Sequence, residues 1–329
     1  MNTKTNFRWV ICAMLFMATA VNYLDRQVLS LTWDEFIKPE FHWNESHYGT
    51  ITSIFSIVYA VCMLFAGKFV DWMGTRKGYL WAIGIWSAGA CAHALCGVVT
   101  ESVVGLHNST EMIQAVGDTA VLISTVSMYC FLVARSILAL GEAGNFPAAI
   151  KTTAEYFPKK DRAYATSIFN AGASIGALFA PLTIPLLAKH LGWEMAFVVI
   201  GLLGFIWMGI WVFLYDKPEH SKYVSKEELA YIEQDKELDN SSSEDLGTPD
   251  EKKLSFRQCL KYRQTWAFVI GKFMTDGVWW FFLFWTPSYL NTQFGIKTTD
   301  PMGMALIFTL YAITMLSIYG GKLPTLFIN

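Results

Sequence analysis

The sequence predicts an all-α integral membrane protein, and three observations support this fold class. Of its 329 residues, 53% are hydrophobic and only 16% are charged, whereas a typical soluble domain has about 25% charged residues. The apolar residues form runs of about 20, the length that a helix needs to cross a bilayer. Trp residues lie near many ends of these runs, as they do at membrane interfaces. The net charge of −2 gives no electrostatic basis for binding nucleic acid.

Eight segments have the length and composition of a span. They are residues 9–30, 48–67, 79–99, 120–145, 164–187, 194–215, 266–290 and 302–321. The chain therefore divides into a six-helix membrane half over residues 1–215, a polar linker over 216–264 and the start of a second half over 265–329. The linker is too charged to form a packed core by itself.

The first part of the linker, residues 225–239, has the pattern of an amphipathic helix. Ser225 followed by Glu228 fits a capping box, in which each residue satisfies the other's backbone N–H. We therefore expect a helix along the membrane surface at this point.

The orientation follows from the loops that carry Lys and Arg. These residues concentrate before the first span, between the second and third spans, and between the fourth and fifth: Lys4, Arg8, Lys68, Arg76, Lys77, Lys151, Lys159, Lys160 and Arg162. The alternate loops contain almost none. The positive-inside rule therefore predicts a multi-pass protein with a cytoplasmic N-terminus.

The sequence offers no motif for a metal or a cofactor. Five of the six cysteines lie inside apolar runs, and none forms a Cys-x-x-Cys or Cys/His cluster. Such residues are usually small buried hydrophobes. We predict no metal, no cofactor and no enzymatic activity.

A glycine-rich charged segment joins the second and third spans. It contains Gly67, Asp71, Gly74 and the basic pair Arg76 and Lys77. The glycines permit close helix approach and a tight turn. Asp71 is placed to contact a neighbouring helix N-terminus or an Arg, which would hold these helix ends together. The alternative is an ordinary solvated turn.

Two spans carry charges that are costly to bury in lipid. The first contains Asn22, Tyr23, Asp25 and Arg26, and the fourth contains Arg135 and Glu142, which are seven residues apart and share a helix face. Such a face must look into the bundle or a cavity. The alternative for the fourth span is a structural tie between Arg135 and Glu142.

The fifth and seventh spans contribute further polar side chains. In the fifth, Asn170 is a candidate hydrogen-bond donor to a polar substrate, while Gly172 and Gly176 form a small-residue packing face. The seventh span contains Lys272, Asp276, Trp279 and Trp280. Lys272 either neutralises Asp276 one turn away or binds an anion, and either tryptophan is a platform for a sugar face.

Together these blocks resemble the anion:cation symporter family of the major facilitator superfamily, and most of all its bacterial hexuronate transporters. The resemblance rests on Asn-Tyr-x-Asp-Arg over residues 22–26, the loop signature over 67–78, Gly-Glu-Ala-Gly-Asn-Phe-Pro over 141–147 and Lys-Phe-Met-Thr-Asp-x-x-Trp-Trp-Phe over 272–281. It implies the major facilitator fold of two six-helix halves. Because this chain shows eight spans, and residues 320–324 resemble the end of the family's eighth, we expect a truncated second half.

The resemblance also implies roles for individual residues. Asp25 and Glu142 match the family's proton-coupling carboxylates. The implied substrate-binding set is Tyr23, Arg26, Tyr59, Arg135, Asn170, Lys272, Asp276, Trp279 and Trp280, and the implied gating set is Gly67, Asp71, Gly74, Arg76 and Lys77. Related sugar-acid transporters have a Gln near position 173, where this chain has Ala173, so Asn170 is assigned in its place.

The resemblance implies a proton-coupled importer of an organic anion, in the first place a hexuronate, in the plasma (inner) membrane. Its partners would be the small anion, protons and the lipid bilayer, and the chain would act as a monomer without nucleic acid. The alternatives are a transporter of another sugar acid such as galactonate or an organophosphate exchanger, and, less favoured, a membrane sensor that binds without transport or a membrane enzyme.

Overall fold

The described part of the chain is helical throughout. The structure is a computed structural model that describes residues 5–245 and 256–314, with the backbone alone for 236–245, 256, 257 and 314. The first half contains α1 Phe7–Thr32, α2 Lys38–Phe41, α3 Glu45–Met73, α4 Thr75–His93, α5 Leu95–Val104, α6 Ser109–Gln114, α7 Asp118–Glu142, α8 Asn145–Tyr156, α9 Lys159–Leu191 and α10 Trp193–Leu214. The remainder contains a 3-10 turn at Pro218–His220, α11 Lys226–Asp245, α12 Phe256–Cys259, α13 Arg263–Phe294 and α14 Pro301–Thr314.

The predicted membrane character is confirmed by length and composition. Six helical segments in the described ranges are long and apolar enough to cross a membrane, and α4 with α5, bent by 48°, forms a seventh candidate. All eight predicted spans fall on helices. The eighth is described only through Thr314, so residues 315–321 and the motif at 320–324 lie outside the described residues.

Several helices extend beyond their predicted boundaries. α1 does not end at residue 30 but continues through a π-helical turn, Trp33–Ile37, into α2. α5 extends beyond residue 99. After the break at residues 143–144, α8 continues from Asn145 to Tyr156, so Lys151 lies in a helix where the sequence predicts a loop.

Glycines let the helices of the first half approach closely. A Cβ atom added at Gly176 would lie 2.2 Å from the carbonyl oxygen of Ala20, and one at Gly172 would lie 2.4 Å from that of Phe16. On the other side of the bundle, a Cβ at Gly141 would lie 2.2 Å from the backbone nitrogen of Trp86. The predicted packing role of Gly172 and Gly176, against α1, is confirmed.

The linker helix is attached to the start of the first half. The Ser225 hydroxyl accepts the Glu228 N–H at 3.2 Å, as the predicted capping box requires. The buried Glu228 carboxylate, however, accepts the backbone N–H groups of Phe7 and Arg8 at 3.0 and 3.1 Å and pairs with the Arg8 guanidinium at 3.2 Å. α11 therefore caps α1 instead of lying free on the membrane surface, because the first N–H groups of a helix lack intrahelical partners.

Adding one methyl group at Gly176 should destabilise the protein. Gly176→Ala forces α1 and α9 apart, and overpacking of this kind costs about 1–3 kcal/mol. The matched control is Gly209→Ala on α10, where an added Cβ meets nothing within 4 Å. Thermal unfolding of the purified protein in detergent should show a lower midpoint for Gly176→Ala and an unchanged or higher one for Gly209→Ala. Equal midpoints would contradict the close approach.

Candidate functional site

An ion pair between two membrane-spanning helices forms the centre of the site. The Arg26 Nε of α1 donates to the Glu142 Oε2 of α7 at 2.6 Å, and both side chains are buried, with 1% and 0% exposure. The structural tie that the sequence allowed between Arg135 and Glu142 is therefore replaced by one between α7 and α1. Charges in such an apolar environment are stable only when paired.

Arg135 binds the backbone beside this pair. Its Nη2 donates to the Arg26 carbonyl oxygen at 2.9 Å, and its guanidinium lies 4.9 Å from the ring centroid of Phe55. The two arginines of the site thus have different tasks. Arg26 pairs with a carboxylate, while Arg135 holds the α1 backbone at the residue that makes the pair.

Several buried polar atoms around the pair have no protein hydrogen-bond partner among the described residues. They are both carboxylate oxygens of Asp25, both amide atoms of Asn22, Nη2 of Arg26, Nε and Nη1 of Arg135, and Oε1 of Glu142. Buried polar groups in proteins are nearly always hydrogen-bonded. The concentration of exceptions around one ion pair therefore makes this cluster the candidate functional site, and it includes both carboxylates that the sequence singled out.

Three aromatic rings surround the Arg26 guanidinium. Its Cζ lies 4.5 Å from the ring centroid of Tyr59, 5.1 Å from that of Tyr23 and 5.2 Å from that of Trp280. These distances are within the range of cation–π attraction. Trp280 belongs to α13, so the site is built from both sides of the linker.

The residues of α13 at intervals of four form a row on one face. Trp280 stacks on Phe284 at 5.2 Å, and Lys272 pairs with Asp276 at 2.8 Å, with side-chain exposures of 55% and 43%. This local pairing is the alternative that the sequence left open for Lys272. Trp279 instead makes an edge contact with Tyr311 of α14 at 6.2 Å. Of the two tryptophans proposed as a platform, the structure brings Trp280 to Arg26.

Asn170 is not brought to the ion pair. It lies exposed on α9. No hydrogen bond or ion pair of the described residues joins it to the Arg26 cluster, by which we mean Arg26, Glu142, Arg135 and the rings of Tyr23, Tyr59 and Trp280. The buried face of α9 is formed instead by Phe169, Gly172 and Gly176.

At one end of the site, hydroxyl groups of the first half bind the backbone of α13. The Ser30 hydroxyl lies 3.0 Å from the carbonyl oxygens of both Leu283 and Phe284, and the Tyr48 hydroxyl donates to Phe284 at 2.8 Å. Pro287 has no N–H and therefore leaves the carbonyl of Leu283, four residues earlier, without its helical donor. The first half supplies the missing donor.

Two carboxylates add contacts from the first half to α13 and to the segment after it at this end, which we call the closed end. Asp34 accepts from the Asn291 amide at 2.6 Å. Glu35 accepts from the hydroxyls of Thr298 and Thr299 at 2.6 and 2.7 Å and from the Thr299 N–H at 3.1 Å. Both carboxylates lie in the π-helical turn that follows α1, and such turns are frequent at functional sites. Sequence reasoning missed them, although Pro287 inside a span and two acids directly after a span were visible signals.

The glycine-rich segment lies at the opposite end of the first half. Asp71 pairs with Lys151 of α8 at 2.9 Å, so its partner is neither the Arg nor the helix terminus that the sequence predicts. The sequence did not predict this pair because the fourth predicted span ended at residue 145, which placed Lys151 in a loop and not in a helix. Arg76 donates to the carbonyl oxygen of Val212 at 2.7 Å and attaches α4 to α10.

The other members of this segment have unequal roles. Gly74 has a φ of +77° between α3 and α4, a backbone conformation that favours glycine and confirms the predicted tight turn. A Cβ at Gly67 would meet no described atom within 4 Å. The prediction that Gly67 allows a neighbouring helix to approach closely is therefore wrong for the described part of the chain. Lys77 is exposed.

A chemical cross-link should join the two halves across the closed end. In a protein from which the six free cysteines have been replaced, Asp34→Cys with Asn291→Cys should be joined by a short bifunctional thiol reagent, because the native carboxylate oxygen and amide nitrogen are 2.6 Å apart and the reagent spans the gap that the shorter cysteine side chains leave. Asp34→Cys with Arg263→Cys is the control, since Arg263 lies 28 residues earlier on α13, about 40 Å along the helix. Gel mobility reports the cross-link, and its absence in the first pair would contradict the closed end.

The chain matches known transporters over nearly its whole length. Residues 15–326 match the family described as the Major Facilitator Superfamily. The chain is 30% identical over 321 residues to the hexuronate transporter of Escherichia coli K12, covering 97% of this chain and 66% of that protein. It is 27% identical to the galacturonate transporter of Dickeya chrysanthemi, covering 97% and 82%. It is 28% identical to a protein named "probable galactarate/D-glucarate transporter" of Escherichia coli K12, covering 88% and 61%.

Solved structures agree in fold. Two crystal structures of a bacterial homolog to the human lysosomal transporter Spinster, inward-facing and either occupied or unoccupied, match with TM-scores of 0.66 and 0.67. They are 18% and 17% identical in sequence, and the match covers 98% and 99% of this chain but only 62% and 64% of theirs. At this identity the likeness concerns the fold alone.

These findings confirm the resemblance to hexuronate transporters, the membrane fold class and the expectation of a non-enzymatic protein, since the relatives are named as transporters. The chain spans about two thirds of the Escherichia coli hexuronate transporter (66%). It belongs to the Major Facilitator Superfamily.

Proposed function

We propose that this chain carries the substrate and proton sites of a proton-coupled importer of a sugar acid, in the first place a hexuronate, that works by alternating access. One observation carries the proposal: the buried Arg26–Glu142 ion pair lies under Trp280 and beside unpartnered polar atoms of Asp25 and Arg135. The names of the relatives support the substrate class.

Both the carboxylate and the ring of a hexuronate fit the Arg26 cluster. Its carboxylate can bind Arg26, whose Nη2 has no described partner and whose planar guanidinium matches a carboxylate. Its ring carries apolar C–H faces that pack against the rings of Tyr23, Tyr59 or Trp280. In this proposal Trp279 supports α14 and Asn170 is a peripheral contact.

The ion pair also provides a route for coupling to protons. A substrate carboxylate that binds Arg26 competes with Glu142, and a buried carboxylate without its counter-charge is favoured in the protonated form. Asp25, the second buried acid, has no hydrogen-bond partner in the described residues and is available in the same way. Since an inside-negative potential opposes anion entry, co-transport of a proton makes uptake favourable.

The orientation of the protein in this proposal follows the positive-inside rule. With the N-terminus in the cytoplasm, the contacts of Asp34 and Glu35 with the second half close the external side. The state is then inward-facing, with residues 1–215 and 265–329 as two moving halves joined by the linker over 216–264. The glycine-rich segment lies on the cytoplasmic side, where the Asp71–Lys151 pair stabilises the helix ends during closure.

A second sugar-acid class has a specific observation in its favour. Galactarate and glucarate carry two carboxylates, and a relative named for them is 28% identical over 294 residues. Arg26 and Lys272 are two cations on facing helices. Whether the site binds a substrate with one or with two carboxylates therefore depends on whether Asp276 neutralises the charge of Lys272.

Removing the Arg26 guanidinium should abolish binding of the acid. Arg26→Ala should cost about 2–5 kcal/mol of binding free energy, because it removes the carboxylate's partner and leaves Glu142 buried and unpaired. Isothermal titration of the detergent-purified protein with galacturonate measures the loss. Arg263→Ala, at the exposed start of α13, is the control. Equal affinity of the unaltered protein for galacturonate and for neutral galactose would refute the proposal.

Glu142→Gln should separate transport from proton coupling. The amide imitates the protonated acid, so we expect substrate binding and exchange to persist while accumulation driven by external acid is lost. Proteoliposomes loaded with galacturonate measure exchange, and empty vesicles with an imposed pH gradient measure accumulation. The control is Glu101→Gln, the same change at a glutamate on α5, outside the Arg26 cluster. Continued accumulation by the Glu142 variant would remove Glu142 from the coupling mechanism.

A further inference from the structure

The face of α13 that meets Arg26 also carries a pair of opposite charges. Phe284, Trp280, Asp276 and Lys272 are spaced at intervals of four residues, so they form one row with about 6 Å between neighbours along the helix. Trp280 lies on Arg26 at 5.2 Å. Asp276 lies one turn before Trp280 on the same helix. The pair therefore lies beside Arg26, on the side away from the closed end.

The two charges of the pair cancel each other. Lys272 Nζ lies 2.8 Å from Asp276 Oδ1, and both side chains remain about half exposed. A matched pair of this kind exerts little net attraction on an anion. It does offer hydrogen-bond donors on the ammonium group and acceptors on the carboxylate, which is the combination that binds the hydroxyl groups of a sugar.

A second carboxylate at this position would encounter the Asp276 carboxylate. To bind Lys272 it would have to displace Asp276, and the two carboxylates would then compete for one ammonium group and repel each other. A repulsive element of this type is a common device for selectivity.

We propose that Asp276 selects sugar acids with one carboxylate by neutralising Lys272. The carboxylate of the substrate binds at Arg26, and its far end presents hydroxyl groups to the Lys272–Asp276 pair. Dicarboxylates of the same sugar are rejected at that far end. This inference rests on the proposed function of the Arg26 cluster and names the substrate class that the cluster takes.

Galacturonate and galactarate share the configuration of their four hydroxyl-bearing carbons, and the carbon that closes the ring of galacturonate is a second carboxylate in open-chain galactarate. Because the two ligands also differ in shape, the change in their affinity ratio between variants tests the proposal. Titration of the purified protein should show galacturonate binding at least about tenfold more tightly, a difference of about 1.4 kcal/mol. In Asp276→Asn the affinity for galactarate should rise, the affinity for galacturonate should fall modestly through loss of a hydroxyl acceptor, and their ratio should drop about tenfold.

Two further variants assign the effect to Lys272. In Lys272→Gln with Asp276→Asn, the gain for galactarate should disappear, since no uncompensated cation remains. In Lys272→Gln alone, Asp276 is left without its counter-charge, so galactarate should be rejected even more strongly than by the unaltered protein. Asp118→Asn, the same charge change at an exposed position in the first turn of α7, is the control and should leave the ratio unchanged.

The outcomes distinguish this inference from the proposed function. If neither sugar acid binds, or if binding survives Arg26→Ala, the proposed function fails. If galacturonate binds through Arg26 but the ratio is the same in the unaltered protein and in Asp276→Asn, the inference alone fails. Should Asp276→Asn not fold, the ratio in Lys272→Gln decides in its place, and an unchanged ratio there overturns the inference.

Discussion

Burial of the Arg26–Glu142 ion pair is the constraint on which the rest of the first half depends. Neither charge tolerates an apolar environment alone, so α1 and α7 must stay in register at this point. Close packing around the pair requires residues without side chains. Gly141, one residue before Glu142, would clash with the backbone of α4 if it carried a Cβ, and Gly176 would clash with α1. The small residues beside the charges are therefore a consequence of the pair as much as a separate packing motif.

In the proposed alternating access, separation of the halves at the closed end would leave few unsatisfied groups. Hydroxyls can bond to the carbonyl four residues earlier in their own helix, as Thr19, Thr32 and Thr52 do in this structure. Ser30 therefore has an alternative acceptor when it leaves α13. The carbonyl that Pro287 leaves free is satisfied by Ser30 in this state and by water once the end opens. Asp34 and Glu35 bind neutral partners across this end, so their separation leaves no buried countercharge behind.

The sequence predicted elements better than it predicted partners. Hydrophobic run lengths located the long helices of the described residues, and the cost of burying charge singled out Asp25, Arg26, Arg135 and Glu142, because both are properties of one helix at a time. Which carboxylate meets which arginine depends on helices more than a hundred residues apart in the chain, and periodicity contains no such information. For the same reason the choice of Trp280 over Trp279, and of Lys151 as the partner of Asp71, required the assembled structure. Boundaries failed where a helix continued through a break, at residues 33–37 and 143–144.

A single stretch of α13 connects the proposed substrate site with the closed end. Trp280 covers Arg26, and Phe284, one turn further, stacks on Trp280 and offers its carbonyl to Tyr48. Both residues precede Pro287, so they lie on the same side of the point where proline weakens the helix. Any movement of α13 that separates Phe284 from Tyr48 must therefore move Trp280 relative to Arg26. Conversely, a ligand that changes the contact between Arg26 and Trp280 alters the free energy of the closed end. Coupling between the two places needs no chain of intermediate residues, because one helix segment belongs to both.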